Sequence, residues 1–264
     1  IETALKTLLQ ETERARRFGF TESEYARARA NYLQSLESAY NEREKTKHGS
    51  YVREYVQNFL NGEPIPGIEA EYAMMNQLAP NIPLQAMNMV MQQLVPDSNQ
   101  VVIIAGPAKE GLKYPTKEEV INLLKGMNLQ AYVDKVSDEP LMKEAPKGGK
   151  IISEKEGDIY GSTRLVLSNG VTVYVKKTDF KADEIRMKGT SLGGKSIFPD
   201  KDALNFAVMD NVIAVGGLGN FSQVDLTKVL AGKKVSVNAG LGATTENVFG
   251  TCSPKDFETM MQLT

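Results

Sequence analysis

The chain has 264 residues, 41% hydrophobic and 24% charged, with a formal net charge of −2. This composition excludes wholesale disorder, and the length suffices for one large or two ordinary domains. A pI near 5.7 gives no electrostatic case for nucleic acid or an anionic membrane, and no run of about 18 apolar residues marks a membrane span.

Residues 1–18 read as the middle of a helix with no start signal before it. The chain stops at Thr264 inside an apolar-periodic helix (Phe257, Met260, Met261) without a C-cap. Both ends look cut, so the chain is expected to be a segment of a longer protein, and the missing leader says nothing of location. Residues 1–95 are otherwise helical in pattern. Thr21 and Glu24 form a capping box, in which hydroxyl and carboxylate satisfy reciprocal backbone donors. A long helix follows to about Lys47, its apolar face on Tyr25, Ala28, Tyr32, Leu36 and Ala39. A second helix over 50–60 presents Val52, Tyr55, Val56, Phe59 and Leu60, and residues 62–67 (Gly-Glu-Pro-Ile-Pro-Gly) break it. Two more helices, about 68–79 and 83–94, carry Met74, Met75, Met87, Met91 and Leu94. That stripe reads as core, because methionine fills irregular gaps.

The period then changes. Residues 100–105 are a continuous apolar run ended by Gly106-Pro107, read as a buried strand closing a domain. A short helix opens at Pro115 and runs to about Lys125, and residues 129–136 are a possible further element. Residues 138–157 are dense in Pro, Gly, Lys and Glu and read as an exposed linker, with an internal surface loop as the alternative. Next comes Asn169-Gly170 between two alternating β-branched runs. This is a hairpin signal for a two-residue type I′ turn pairing 164–167 with 172–175. A strand over 184–192, a Gly193-Gly194 break, a helix over 202–215 and the glycine-rich stretch 216–219 complete the pattern, with Ser222 and Ser253 marking later helix starts.

In order and spacing, residues 165–264 resemble the start of a half-molecule of the pitrilysin/insulinase zinc peptidases (inverzincins). Residues 5–110 resemble, more loosely, the end of such a first half. The resemblance implies an α+β fold: a helical portion ending in a buried strand, a linker, then an α/β sandwich of antiparallel sheet against helices. It places the end of the first half at 1–111, the connector at 112–157 and the start of the second half at 158–264. In active halves the first helix carries His-x-x-Glu-His. Here that helix reads Asp202-Ala203-Leu204-Asn205-Phe206-Ala207-Val208-Met209-Asp210-Asn211, with no histidine in any register.

A zinc peptidase needs neutral imidazoles on the metal and a carboxylate to take the proton of the bound water. The chain has one histidine and one cysteine. His48 is expected as a solvated residue at a helix end, able when protonated to complement the dipole. Cys252 is expected as a small residue filling a strand position, and alone it forms no disulfide. The glycines at 216, 217 and 219 follow a helix rather than a strand and lack a Walker Lys-Ser/Thr, so they read as a helix-to-helix corner with Ser222 as cap and Asp225 in the next first turn. The pairs Asp200/Asp202 and Glu42/Glu44 are expected on solvent-facing stretches. No catalytic, cofactor or metal residue is therefore assigned in this segment. The resemblance implies zinc in the parent's first half, and as partners the rest of the parent chain and a peptide substrate. The favoured function is the hinge and part of the closing half of a metallopeptidase. A catalytically silent scaffold subunit of the same fold, or an unrelated binding protein, are the alternatives.

Overall fold

The computed structural model describes residues 2–96, 98–99, 101–125, 128–157 and 160–264. Ile1, Gln100 and Asp158, each the start of an expected element or domain, lie outside these. The described residues divide into two compact units, Ile1–Tyr32 with Ala73–Lys135 and Leu33–Tyr72 with Val136–Thr264.

The first unit is helical. It contains α1 (Glu2–Phe18), the N-terminal part of α2 (Glu22–Asn41), the end of α4 (Ile68–Leu78), α5 (Leu84–Leu94) and α6 (Lys117–Lys125), with α1 against α5 and α6. Along α1, Glu13 pairs with Arg16 at 2.6 Å and with Arg17, one turn away. The hydrogen bond from Arg16, followed by that from Arg17, pulls the Glu13 carboxyl down to about 2 against the opposing effect of burial. The capping box forms: Thr21 N donates to Glu24 Oε2 at 2.8 Å, and Glu24 N donates to Thr21 Oγ1 at 3.2 Å. Asp134, nearly sealed from solvent, accepts from Ser23 at 2.6 Å and pairs with Arg27 at 2.7 Å, fastening the irregular 128–135 segment to α2.

Three expectations in this region are corrected. Residues 101–105 form no strand, and Val101 and Ile103 are 80% and 83% exposed. A strand needs a partner edge, and no described residue pairs with this run. On α2, Leu36 is buried and Tyr25 half-buried, whereas Ala28, Tyr32 and Ala39 are exposed. Met74 and Leu94 are exposed too, leaving Met75, Met87 and Met91 half-buried. Residues 129–136 adopt no regular element.

The second unit holds the C-terminal part of α2, α3 (His48–Asn61) and the first turn of α4. It continues with β1 (Ile151–Glu156), β2 (Thr163–Leu167), β3 (Thr172–Val175), β4 (Ile185–Leu192), α7 (Ala203–Gly216), α8 (Gln223–Val229), β5 (Val235–Leu241), β6 (Thr245–Cys252) and α9 (Phe257–Leu263). Two antiparallel three-stranded sheets form, ordered β1-β2-β3 and β4-β6-β5. Helices α7 and α9 pack on β5, and α9 also on β6. The α+β class and the antiparallel sheet against helices are as expected.

The densest packing is under α9. Ile185, Cys252 and Val235 are in register across β4-β6-β5, as are Met187, Gly250 and Val237. Cys252 and Met260 are 0% exposed. A Cβ on Gly250 would stand 2.7 Å from Met260 Sδ and 3.0 Å from Met187 Cε, so glycine there lets the helix close onto the sheet.

Two differences concern the β1-β2-β3 sheet. The two expected runs do pair, but one residue out of the register a two-residue turn would give (164–167 with 172–175): Thr163 pairs with Val175, Arg164 with Tyr174, Leu165 with Val173 and Val166 with Thr172. The turn is longer than two residues: Gly170 N donates to Leu167 O, and Leu167 N to Val171 O, each at 2.9 Å. Gly170 has φ +88°, and Asn169 is not among the positive-φ residues. A three-residue loop with glycine in the left-handed position therefore replaces the type I′ turn. Ile151–Glu156, read as the end of the linker, instead form β1 on β2, because Leu165 and Val166 offer a free edge at a register the composition does not reveal.

Candidate functional site

Helix α7 occupies the position at which the family resemblance places the metal helix. Its three polar side chains are Asn205, Asp210 and Asn211, none an imidazole. Phe206 meets Phe198 with ring centroids 5.0 Å apart, and Met209 is half-buried, whereas Leu204, Val208, Val212 and Val215 are exposed. Among the described residues no group of three or more His, Cys, Asp or Glu side chains could hold a metal ion. The donor set on α7, one carboxylate and two carboxamides, does not fit a zinc centre.

His48 is exposed, but it opens α3 rather than closing the preceding helix, which ends at Asn41. A protonated imidazole would face the positive end of the α3 dipole, so the expected dipole complement is reversed. Cys252 is sealed in β6. Burial first, and then the Asp256 charge, push its thiol above the usual range, which disfavours the thiolate.

The glycine stretch is a corner, as its position after a helix implies. Leu218 and Phe221 exchange backbone hydrogen bonds at 2.9 and 3.0 Å. Ser222 then caps α8: Asp225 N donates to Ser222 Oγ at 3.1 Å, and Ser222 N to Asp225 Oδ2 at 3.3 Å. The Asp225 carboxylate thus takes a donor that a phosphate would need. Beside the corner, Glu139, Leu141 and Lys143 face Asn220, Phe221 and Leu263 across an open groove of about 390 Å³.

The polar cluster that sequence reasoning missed lies where α2 ends. Lys234 Nζ donates to Ser38 Oγ at 2.7 Å and to Asp183 O at 2.8 Å, and pairs with Asp183 Oδ2 at 3.2 Å. Asp183, only 8% exposed, donates its N–H to Glu42 Oε1 at 2.8 Å and accepts from Asn41 Nδ2 at 3.4 Å. Glu42 is therefore half-buried, not solvent-facing, because Asp183 and Lys181 supply partners for it; Glu44 remains exposed. Asp200 is exposed and Asp202 half-buried. Ser253 stands at the expected helix start. Its hydroxyl, however, caps no backbone N–H and donates to Asp256 Oδ2 at 2.7 Å, a carboxylate oxygen that also accepts the Lys234 N–H at 2.8 Å. No local motif announces Asp183 or Lys234, whereas Asp256 stands three residues after Ser253, at a capping-box position. Asp183 and Lys234 act through neighbours far away in sequence, so no short-range signal could have found them.

No protein-family model matches the chain. A zinc protease PQQL-like protein of Arabidopsis thaliana is 29% identical over 238 residues, covering 89% of this chain and 25% of that protein. The chain resembles the pitrilysin-type zinc proteases. It spans about a quarter of that relative's length. Two solved structures are also similar. The periplasmic protease PqqL of Escherichia coli aligns at TM-score 0.46 and 21% identity, over 100% of this chain and 29% of that one. The ferredoxin protease FusC, solved in complex with Arabidopsis ferredoxin, aligns at TM-score 0.48 and 15% identity, over 98% and 29%.

Proposed function

We propose that the chain is a non-catalytic segment, hinge region plus part of the closing half, of a zinc-dependent metalloendopeptidase that encloses peptides between two halves. On this reading residues 1–111 end the first half, 112–157 connect the halves, and 158–264 begin a degenerate second half. Zinc and the catalytic groups then belong to a first-half domain outside this sequence. The observation that carries the reading is the similarity over 238 residues to a zinc protease four times as long as the matched region, combined with the histidine-free α7.

The test compares the segment with a longer chain that contains it. The longer chain should hydrolyse a quenched fluorogenic peptide, lose that activity on chelation and regain it with zinc. The 264-residue segment should cleave nothing and retain well under one equivalent of zinc after reloading. Cleavage by the segment alone, or stoichiometric tight zinc on it, would overturn the reading. A longer chain that binds zinc-independently and never cleaves would favour the silent scaffold.

A further inference from the structure

We infer that Leu33–Tyr72 form an arm clasped to the α/β body of the same unit by Lys234, so that arm and body open and exchange as one cooperative piece. This goes beyond the proposed function and does not depend on it. Glu37, Ser38 and Asn41 lie at the C-terminal end of α2 at helical spacing, and Glu42 follows immediately after the helix. Each meets a partner from the body: Lys255 pairs with Glu37, Lys234 with Ser38, and Asp183 with Asn41 and Glu42. Lys181 adds a cation 3.7 Å from the second Glu42 oxygen.

The signs are complementary. The arm presents two carboxylates, the body presents three ammonium groups, and Asp183 sits between them. All three donors of the Lys234 ammonium are used, two on Asp183 and one on the arm. The base is also rigid: Lys234 N–H is held by Asp256, and Ser253 N donates to Lys234 O at 2.9 Å. The arm is braced internally, since Tyr40 stacks on Tyr72 at 4.5 Å with Arg43 over Tyr40 and 3.2 Å from Glu69. Isolated surface ion pairs contribute little, but a half-buried network whose central ammonium uses all three donors holds its members in one geometry. Removing Lys234 would strand Asp183 without its counter-charge.

Zero-length carbodiimide crosslinking of the whole chain, read by mass spectrometry, should join Glu37 to Lys255. In Lys234→Met that yield should fall at least fivefold, while the Glu139–Lys143 crosslink within the body stays unchanged. Hydrogen exchange at the Asp183 amide and across 37–42 should accelerate at least tenfold, with β6 amides unaffected. A Glu37–Lys255 crosslink absent from the parent chain, or undiminished yield and exchange in Lys234→Met, would overturn the clasp. Should Lys234→Met unfold the body, visible as lost β6 protection, Glu42→Ala on the arm decides. It removes the acceptor of the Asp183 amide together with the Lys181 ion pair and should speed that amide's exchange tenfold, and unchanged exchange there refutes the inference.

Discussion

Two helices of the second unit, α9 and α3, carry similar apolar spacing and meet opposite fates. On α9, Met260 is sealed between β6 and the helix, and Leu263 follows it inward. On α3, Val52, Tyr55, Val56 and Phe59 form an equally regular stripe, yet all are exposed, Phe59 at 87%. The difference is the surface opposite. Gly250 in β6 leaves room for a helix to approach, whereas no described element covers the α3 stripe. Amphipathic spacing thus states that a face needs a partner, and only the partner turns it into stabilisation.

Truncating each stripe is the sharpest way to break this comparison. Met260→Ala should cost about 2–5 kcal/mol, and Phe59→Ala within about 0.5 kcal/mol, compared by denaturant titration of the same chain. Equal losses would mean that α3 is covered in solution. Next, Gly250→Ala pushes a methyl toward Met260 and Met187 and should destabilise by roughly 1–3 kcal/mol. Combined with Met260→Ala, which vacates that space, the penalty should shrink, and a strictly additive double mutant would separate the two sites. Gly170→Val forces a β-branched residue to the φ of +88° seen in the hairpin loop, at about 1–3 kcal/mol. A variant as stable as the parent would place the turn elsewhere.

The smallest effects are electrostatic, and they differ in sign between the units. Hydrogen bonding to Arg16 depresses the Glu13 carboxyl from 4.5 to about 2. Its contribution is present above pH 4.5 and is lost as pH falls through about 2. The hydrogen bond to Glu37 raises the Lys255 ammonium above 10.5. Its contribution is present below pH 10.5 and fades as pH rises through the raised value. Glu13→Gln should therefore flatten stability at the acid end and Lys255→Met at the alkaline end, both measured by unfolding midpoints across pH. Both groups are partly exposed, so salt should shrink both effects.

Most element boundaries were legible because their signals act within about four residues. The Thr21/Glu24 and Ser222/Asp225 boxes and the glycine corner all formed where the side chains specified, and the β2 and β3 runs met as a hairpin one residue out of the expected register. The hairpin shows the limit of such signals. Asn169-Gly170 fixed the place of reversal, but the pairing of Leu167 with Val171 chose the longer loop. The absent imidazoles on α7 were equally plain, since composition needs no fold to be read.

What only the tertiary structure decided depends on residues far apart in the chain. Residues 101–105 have every local mark of a buried strand, yet all but the half-buried Ile104 are exposed, because a strand is completed by another segment's edge. Glu42 looked like surface charge until Asp183, 141 residues away, donated its N–H to it. Lys234 and Ser38 lie 196 residues apart. A sequence specifies capping, turns and helical faces through neighbours that are always close, whereas burial of a charge depends on which distant group arrives to compensate it.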